Sequence, residues 1–136
     1  MSTKVKSISV VIARVLLGLI YFVFGLNFFL HFLPTPPPPG GAAGAFAGGL
    51  FQSGYFFPML KGLEVIFGAT LLIGSFVPLA LVVLMPVSVN ILLFHAFLAP
   101  DNVALSVIIV LLQLFLAWGY RDYYKQLFLR KASLSA

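Results

Sequence analysis

The chain contains no cysteine. That single absence excludes disulfides, thiol relays and thiolate metal sites together. It is also nearly devoid of negative charge: Glu64, Asp101 and Asp122 are its only carboxylate side chains, against eight Lys or Arg. Charged residues make up 8% of the 136 positions, where a soluble domain carries about 25%, so a soluble globular fold is excluded. No HExxH pair, phosphate-binding loop, nucleophile triad or channel filter occurs. No internal repeat marks two fused inverted halves of a transporter.

What remains is hydrophobic, at 62% of residues. Apolar runs of 18 or more residues read as transmembrane helices, and four are predicted, at about 8–33, 58–75, 78–98 and 103–120. The fold class that follows is all-α: a single integral membrane four-helix bundle covering residues 1–136, with 121–136 as a cytoplasmic tail. The string LPTPPPPGG stops the first span, because proline cannot continue a helix. Pro78 suits the first turn of the third span, and Asp101 or Asn102 is placed to cap the fourth. The first apolar run is too long for the roughly 7–15 residues of a signal-peptide core. The segment GGAAGAFAGGLFQSGYFF, in the first outer loop, is too apolar for a solvated linker and is predicted to form a short amphipathic helix or re-entrant cap. A flexible glycine-rich loop is its alternative.

The basic residues flank the spans: Lys4, Lys6 and Arg14 at the start, and Arg121, Lys125, Arg130 and Lys131 at the end. A nucleic-acid partner would need a basic folded face, so none is expected. The Lys/Arg excess predicts that both termini are cytoplasmic, as an even number of spans requires.

Seven strongly polar side chains fall within the spans: Asn27, His31, Lys61, Glu64, Asn90, His95 and Gln113. At a rise of 1.5 Å per residue, His31, Lys61 and His95 lie roughly 5 Å in from the outer ends, and Asn27, Glu64 and Asn90 roughly 9–12 Å in. Only Gln113 is in the inner half. Asn27 and His31 share a helical face, as do Lys61 and Glu64, and Gly68 and Ser75 continue the latter stripe. Asn90 and His95 lie about 140° apart at 100° per residue, and are expected to line the bundle from two sides. The six outer residues form the candidate ligand-binding site. Lys61 is shallow enough to snorkel, so its loss is expected to be felt less than that of Glu64.

Two histidines and a glutamate can hold a first-row metal, and paired histidines can ligate haem, but no ligand-spacing motif supports either. Histidine with a carboxylate and amides also suits a quinone or another carbonyl-bearing lipid, through hydrogen bonding and proton exchange. In that arrangement Lys61 and Glu64 set the local field, His31 and His95 exchange protons, and Asn27 and Asn90 orient the head group. The alternative is a non-enzymatic assembly or scaffolding factor whose polar layer only fixes helix packing. Catalytic residues are not identified on either reading. A stripe of Arg14, Gly18, Tyr21 and Gly25 lies opposite Asn27 by helical phase and predicts a homo-oligomer packed through Gly18 and Gly25, with packing inside one bundle as its alternative.

The stretches ARVLLGLIYFVFGLNFFLHFLP, SGYFFPMLKGLEVIFGATLL, FVPLALVVLMPVSVNILLFHAFL and LAWGYRDYYKQLF carry a further signal. Asn27 with His31–Phe32, Gly54–Tyr55, Lys61 with Glu64, Pro86 with Asn90, and Phe94–His95 make the chain resemble the DoxX family of small bacterial membrane proteins, over about residues 13–128. The resemblance implies four helices in the bacterial cytoplasmic membrane. It also implies a link to membrane redox complexes, since the family takes its name from subunits of a thiosulfate:quinone oxidoreductase. Other branches implied by the resemblance are assembly factors and cargo receptors, and the lack of cysteine sets this chain apart from thiol-redox relatives. The expected role is a redox-linked membrane subunit with a quinone or similar lipid as ligand, a lipid bilayer as surroundings, and a second copy or a membrane complex as partner.

Overall fold

A backbone inside a bilayer finds no water, so each span must satisfy its own N–H and C=O groups as a helix. The computed structural model describes residues 3–135 and does this with α1 (Thr3–Leu30), α3 (Phe56–Ile73), α4 (Val77–Phe97) and α5 (Val103–Gly119). A shorter helix, α2 (Gly41–Gln52), occupies the first loop. The outermost residues of the expected 1–136 unit, Ala136 of its tail included, lie outside the described residues. The four long helices are each apolar enough to cross a membrane, α5 together with the 3-10 turn Pro100–Asn102 that leads into it. Large side chains such as Phe97 (79% exposed) and Ile73 (74%) stand on the outside, a surface that suits lipid and not water. The chain is a multi-pass membrane protein.

Helix limits differ from the hydropathy windows for local reasons. α1 is described from Thr3, so Lys4 and Lys6 lie within the helix and carry it into the polar zone without ending it; its 28 residues span about 42 Å, against a hydrocarbon core of about 30 Å. It ends at Leu30, before the prolines. His31 turns left-handed (φ 53°), and the Asn27 side-chain carbonyl accepts from the Leu33 N–H at 2.7 Å, consuming a donor the helix leaves free. Between α3 and α4 the turn is made by left-handed Gly74 (φ 79°) and Phe76 (φ 54°). Neither Asp101 nor Asn102 caps α5 through its side chain. The 3-10 turn runs directly into that helix, and the Val103 N–H bonds to Pro100 O, so the backbone does the work of the expected cap.

The long helices close a ring, α1 against α3, α3 against α4, α4 against α5 and α5 back against α1. The α1/α3 crossing is the closest. A Cβ on Gly68 would stand 2.6 Å from Phe22 N, and one on Gly18 would stand 3.0 Å from Gly68 O. Gly25 faces Val65 and Glu64 in the same crossing. The glycine stripe expected to meet a second copy is therefore used inside the bundle, because two helices approach this closely only where neither has a side chain. Arg14 is likewise no mere flanking cation: its Nη1 donates to Leu71 O at 2.8 Å, one of the carbonyls left over at the end of α3.

Packing is uneven along the bundle. The buried core of Leu17, Tyr21, Leu71, Leu81, Leu84, Ile109 and Leu116 fills the middle and the end that carries the chain termini. Across it Tyr21 Oη donates to Ser88 Oγ, Ser88 Oγ donates to Gln113 Oε1, and Gln113 Nε2 donates to Leu81 O at 2.8 Å. This chain ties α1, α4 and α5 together, so Gln113 is satisfied and its burial is not costly. The opposite end, under α2, keeps its space.

Candidate functional site

At the α2 end a cavity of about 310 Å³ opens between α3 and α4, with α2 as its roof. Its wall is aromatic and aliphatic: Phe46 and Leu50 from α2, Phe57 and Leu60 from α3, Ile91 and Phe94 from α4. Four polar side chains interrupt it, Lys61, Glu64, Asn90 and His95. α2 can lie flat on this end because Gly40–Gly44 let the chain turn sharply after the prolines and because its own face is uncharged; Phe46 packs on Phe94 with ring centroids 5.9 Å apart. A few apolar walls with convergent polar groups are the usual constitution of a small-molecule site.

The helical arithmetic for α4 resolves a conflict in the sequence. Asn90, Phe94, Ile91 and His95 all line the cavity, and at 100° per residue they sweep an arc of about 140° with Asn90 and His95 as its edges. The two residues do not need to point the same way, because the space they border is wide. His95 also reaches the other side of the partition. A second space of about 240 Å³ shares Lys61, Glu64, Ile91 and His95 with the first and continues inward to Tyr21, Phe24 and Ile109. These shared residues form a largely polar wall between the cavity under the roof and one bordered by α1 and α5.

Lys61 and Glu64 are paired one helical turn apart. Lys61 Nζ stands 3.3 Å from both carboxylate oxygens. Only Oε1 receives an aligned hydrogen bond; Oε2 is buried and has charge nearby but no donor directed at it. The pair is lopsided, with the lysine side chain 24% exposed and the carboxylate 3%. Among the described residues, His95 Nδ1 is the other buried side-chain polar atom without a hydrogen-bond partner. Its ring is held edge-on against Phe94, centroids 5.2 Å apart, so neighbouring carbon fixes its orientation while that nitrogen stays unbonded. Unbonded buried polar atoms cost about 1–3 kcal/mol each. Two such atoms on one partition make this wall the candidate binding surface.

Of the six residues chosen from the sequence, the fold gathers four, Lys61, Glu64, Asn90 and His95. Asn27 and His31 are not among the residues lining this cavity. Asn27 is spent on the Leu33 N–H, and His31 is exposed where α1 ends. The two histidines consequently do not face a common space, as axial ligation of one haem between them would require. No group of three or more His, Asp or Glu gathers among the described residues. Sequence reasoning missed the roof residues Phe46 and Leu50 and the inner wall at Tyr21. The apolar character of the 41–52 segment was the only signal for the former, and none marked Tyr21, since tyrosine at that depth reads as ordinary apolar filling. No family model, no curated protein and no solved structure matches the chain.

Proposed function

We propose that the protein is a DoxX-like, redox-linked membrane subunit that binds a quinone or a similar carbonyl-bearing lipid in the cavity beneath α2. One observation carries this reading: among the described residues, Glu64 Oε2, whose only neighbour of opposite charge is its ion-pair partner Lys61, and His95 Nδ1 are both buried without a hydrogen bond on the wall of one apolar cavity. Such a wall suits a molecule with a hydrocarbon body and a head that both accepts and donates hydrogen bonds. Lys61 and the Asn90 amide are donors for a carbonyl; Glu64 is an acceptor for a hydroxyl; His95 can do either according to tautomer. The roles expected of Asn27 and His31 pass to Asn90 and His95.

The test is a cavity-filling variant. Ala47 lies on α2 and lines the cavity, so Ala47→Trp fills the space from the roof without disturbing the helix ring. Organic extraction and mass spectrometry of gently purified protein are expected to find a quinone or comparable lipid with the parent chain and to lose it in Ala47→Trp, with the melting temperature retained. A parent chain that carries no such molecule, yet holds a partner protein tightly, would replace this reading with the scaffolding one.

We further propose that the membrane is the bacterial cytoplasmic membrane, with both chain ends on the cytoplasmic side, because Lys4, Lys6, Arg121, Lys125, Arg130 and Lys131 cluster at one end of the bundle and the α2 end has no such excess. A cytoplasm-specific reporter fused after Ala136 is expected to be active, and the same reporter inserted near Gly40 silent. Activity at Gly40 would invert the orientation.

A further inference from the structure

The terminal end of the bundle has a second, differently built recess. A groove of about 360 Å³ is walled by Leu81, Val82, Met85 and Pro86 of α4, by Ala117 of α5, and by Tyr124, Leu127 and Phe128 of the 3-10 segment Arg121–Phe128 that follows α5. Its lining is apolar apart from the phenol of Tyr124, and that hydroxyl is occupied, donating to Pro78 O at 2.9 Å. Burial, and secondarily the neighbouring Tyr120, push the Tyr124 phenol up to about 12, so it stays neutral and pins the segment across the start of α4. By helix rise, Leu81 to Pro86 lie roughly 6–14 Å inward from the start of α4, the depth of the upper part of an acyl chain.

The same end of the bundle carries a cationic cluster, tied to the groove wall through the chain. Lys6 Nζ lies 4.5 Å and Arg121 Cζ 5.0 Å from the centroid of the same Trp118 ring. Trp118 follows Ala117 of the groove wall in sequence, and in a three-residue turn Arg121 stands in one row with Tyr124 and Leu127. Lys125 completes the cluster and pairs with Asp122 at 3.1 Å. Asp122 is its one carboxylate, held below its ordinary range first by the hydrogen bond and charge of Lys125 and then by Arg121 and Lys6. Three cations around one carboxylate leave an uncompensated double positive charge at the end of the bundle that holds the groove.

We propose that this end of the bundle holds one anionic glycerophospholipid, its phosphate against Lys6, Arg121 and Lys125 and one acyl chain in the groove between α4 and the 3-10 segment. The occupant follows from complementarity on both counts. A free anion would leave the groove empty, and a neutral lipid would leave the cations unmatched; a single molecule with a negative head and a hydrocarbon tail answers both. The site is at the opposite end of the molecule from the cavity beneath α2 and does not depend on what that cavity binds.

The full chain in neutral detergent, titrated with phosphatidylglycerol, phosphatidylcholine or inorganic phosphate and followed by thermal melting, tests this. Phosphatidylglycerol is expected to raise the melting temperature well above the effect of phosphatidylcholine, with inorganic phosphate giving no shift. Lys6→Gln/Arg121→Gln removes two headgroup contacts and is expected to weaken the anionic preference roughly 30-fold, whereas Arg130→Gln/Lys131→Gln, which removes the same charge elsewhere on the tail, keeps it. Ala117→Phe, which fills the groove, is expected to weaken binding with all cations in place, and it preserves the test should the double charge variant fail to fold. Equal stabilisation by the two lipids, equal losses in the two charge variants, or a phosphate effect matching the lipid would each overturn the proposal.

Discussion

Removing either member of the Lys61–Glu64 pair alone is expected to destabilise the bundle by up to about 3–5 kcal/mol, whereas Lys61→Met/Glu64→Leu melts close to the parent. The reasoning rests on desolvation. A charge in the interior is tolerated for its partner, so deleting one leaves the other uncompensated, while deleting both removes the burden with the attraction. The two single changes are not equivalent. Lys61 retains 24% exposure and can extend toward the polar zone once released, but Glu64, at 3%, has nowhere to go. Lys61→Met is therefore the more damaging substitution and Glu64→Gln the milder, the reverse of the order that depth along the helix suggested. Thermal melting of the three variants checks the ranking; a double variant as unstable as Lys61→Met would show that the pair contributes net stability. Extraction of bound lipid from the same samples separates structure from function, since the double variant is expected to stay folded and lose its ligand.

Gly68→Leu is expected to prevent the native bundle from forming, and Gly68→Ala to cost at least about 1–3 kcal/mol, the usual range for overpacking. The atoms a new Cβ would meet are backbone, Phe22 N at 2.6 Å and Phe22 Cα at 3.0 Å, and backbone cannot swing aside. Relief requires α1 and α3 to separate, which also pulls Gly18 and Gly25 from their contacts. Gly62 supplies the control on the same helix: nothing lies within 4 Å of its Cβ position, and Gly62→Ala is expected to be neutral or to stabilise by up to about 1 kcal/mol through helix propensity. Melting in one detergent compares them directly.

The spans were legible because a bilayer imposes one requirement, satisfied backbone in about 30 Å of hydrocarbon, that writes itself into any sequence that meets it. The Lys61–Glu64 pair was legible because a three-residue spacing on a helix places two side chains together whatever else the fold does. Asn27 and His31 obeyed the same spacing rule and misled, since a residue near a helix end has a second employment, satisfying the backbone as the chain leaves the helix. Helical phase placed the Gly18–Gly25 stripe opposite Asn27 correctly but carried no information on which neighbour lay there. The Tyr21–Ser88–Gln113 chain was hidden for a related reason: its members are distant in sequence, and two of them are residue types that a hydropathy pattern passes over.

The bond from Arg14 to Leu71 O also orders events during synthesis. The acceptor lies 57 residues after the donor, so at translation rates of 5–20 residues per second it follows by roughly 3–11 s. Throughout that interval the guanidinium belongs to a helix whose matching carbonyl does not yet exist. Because its acceptor lies at the terminal-side end of α3, Arg14 is shallow enough to extend along its own stem toward the headgroups, and the first helix is expected to hold it there until the end of α3 arrives to accept it.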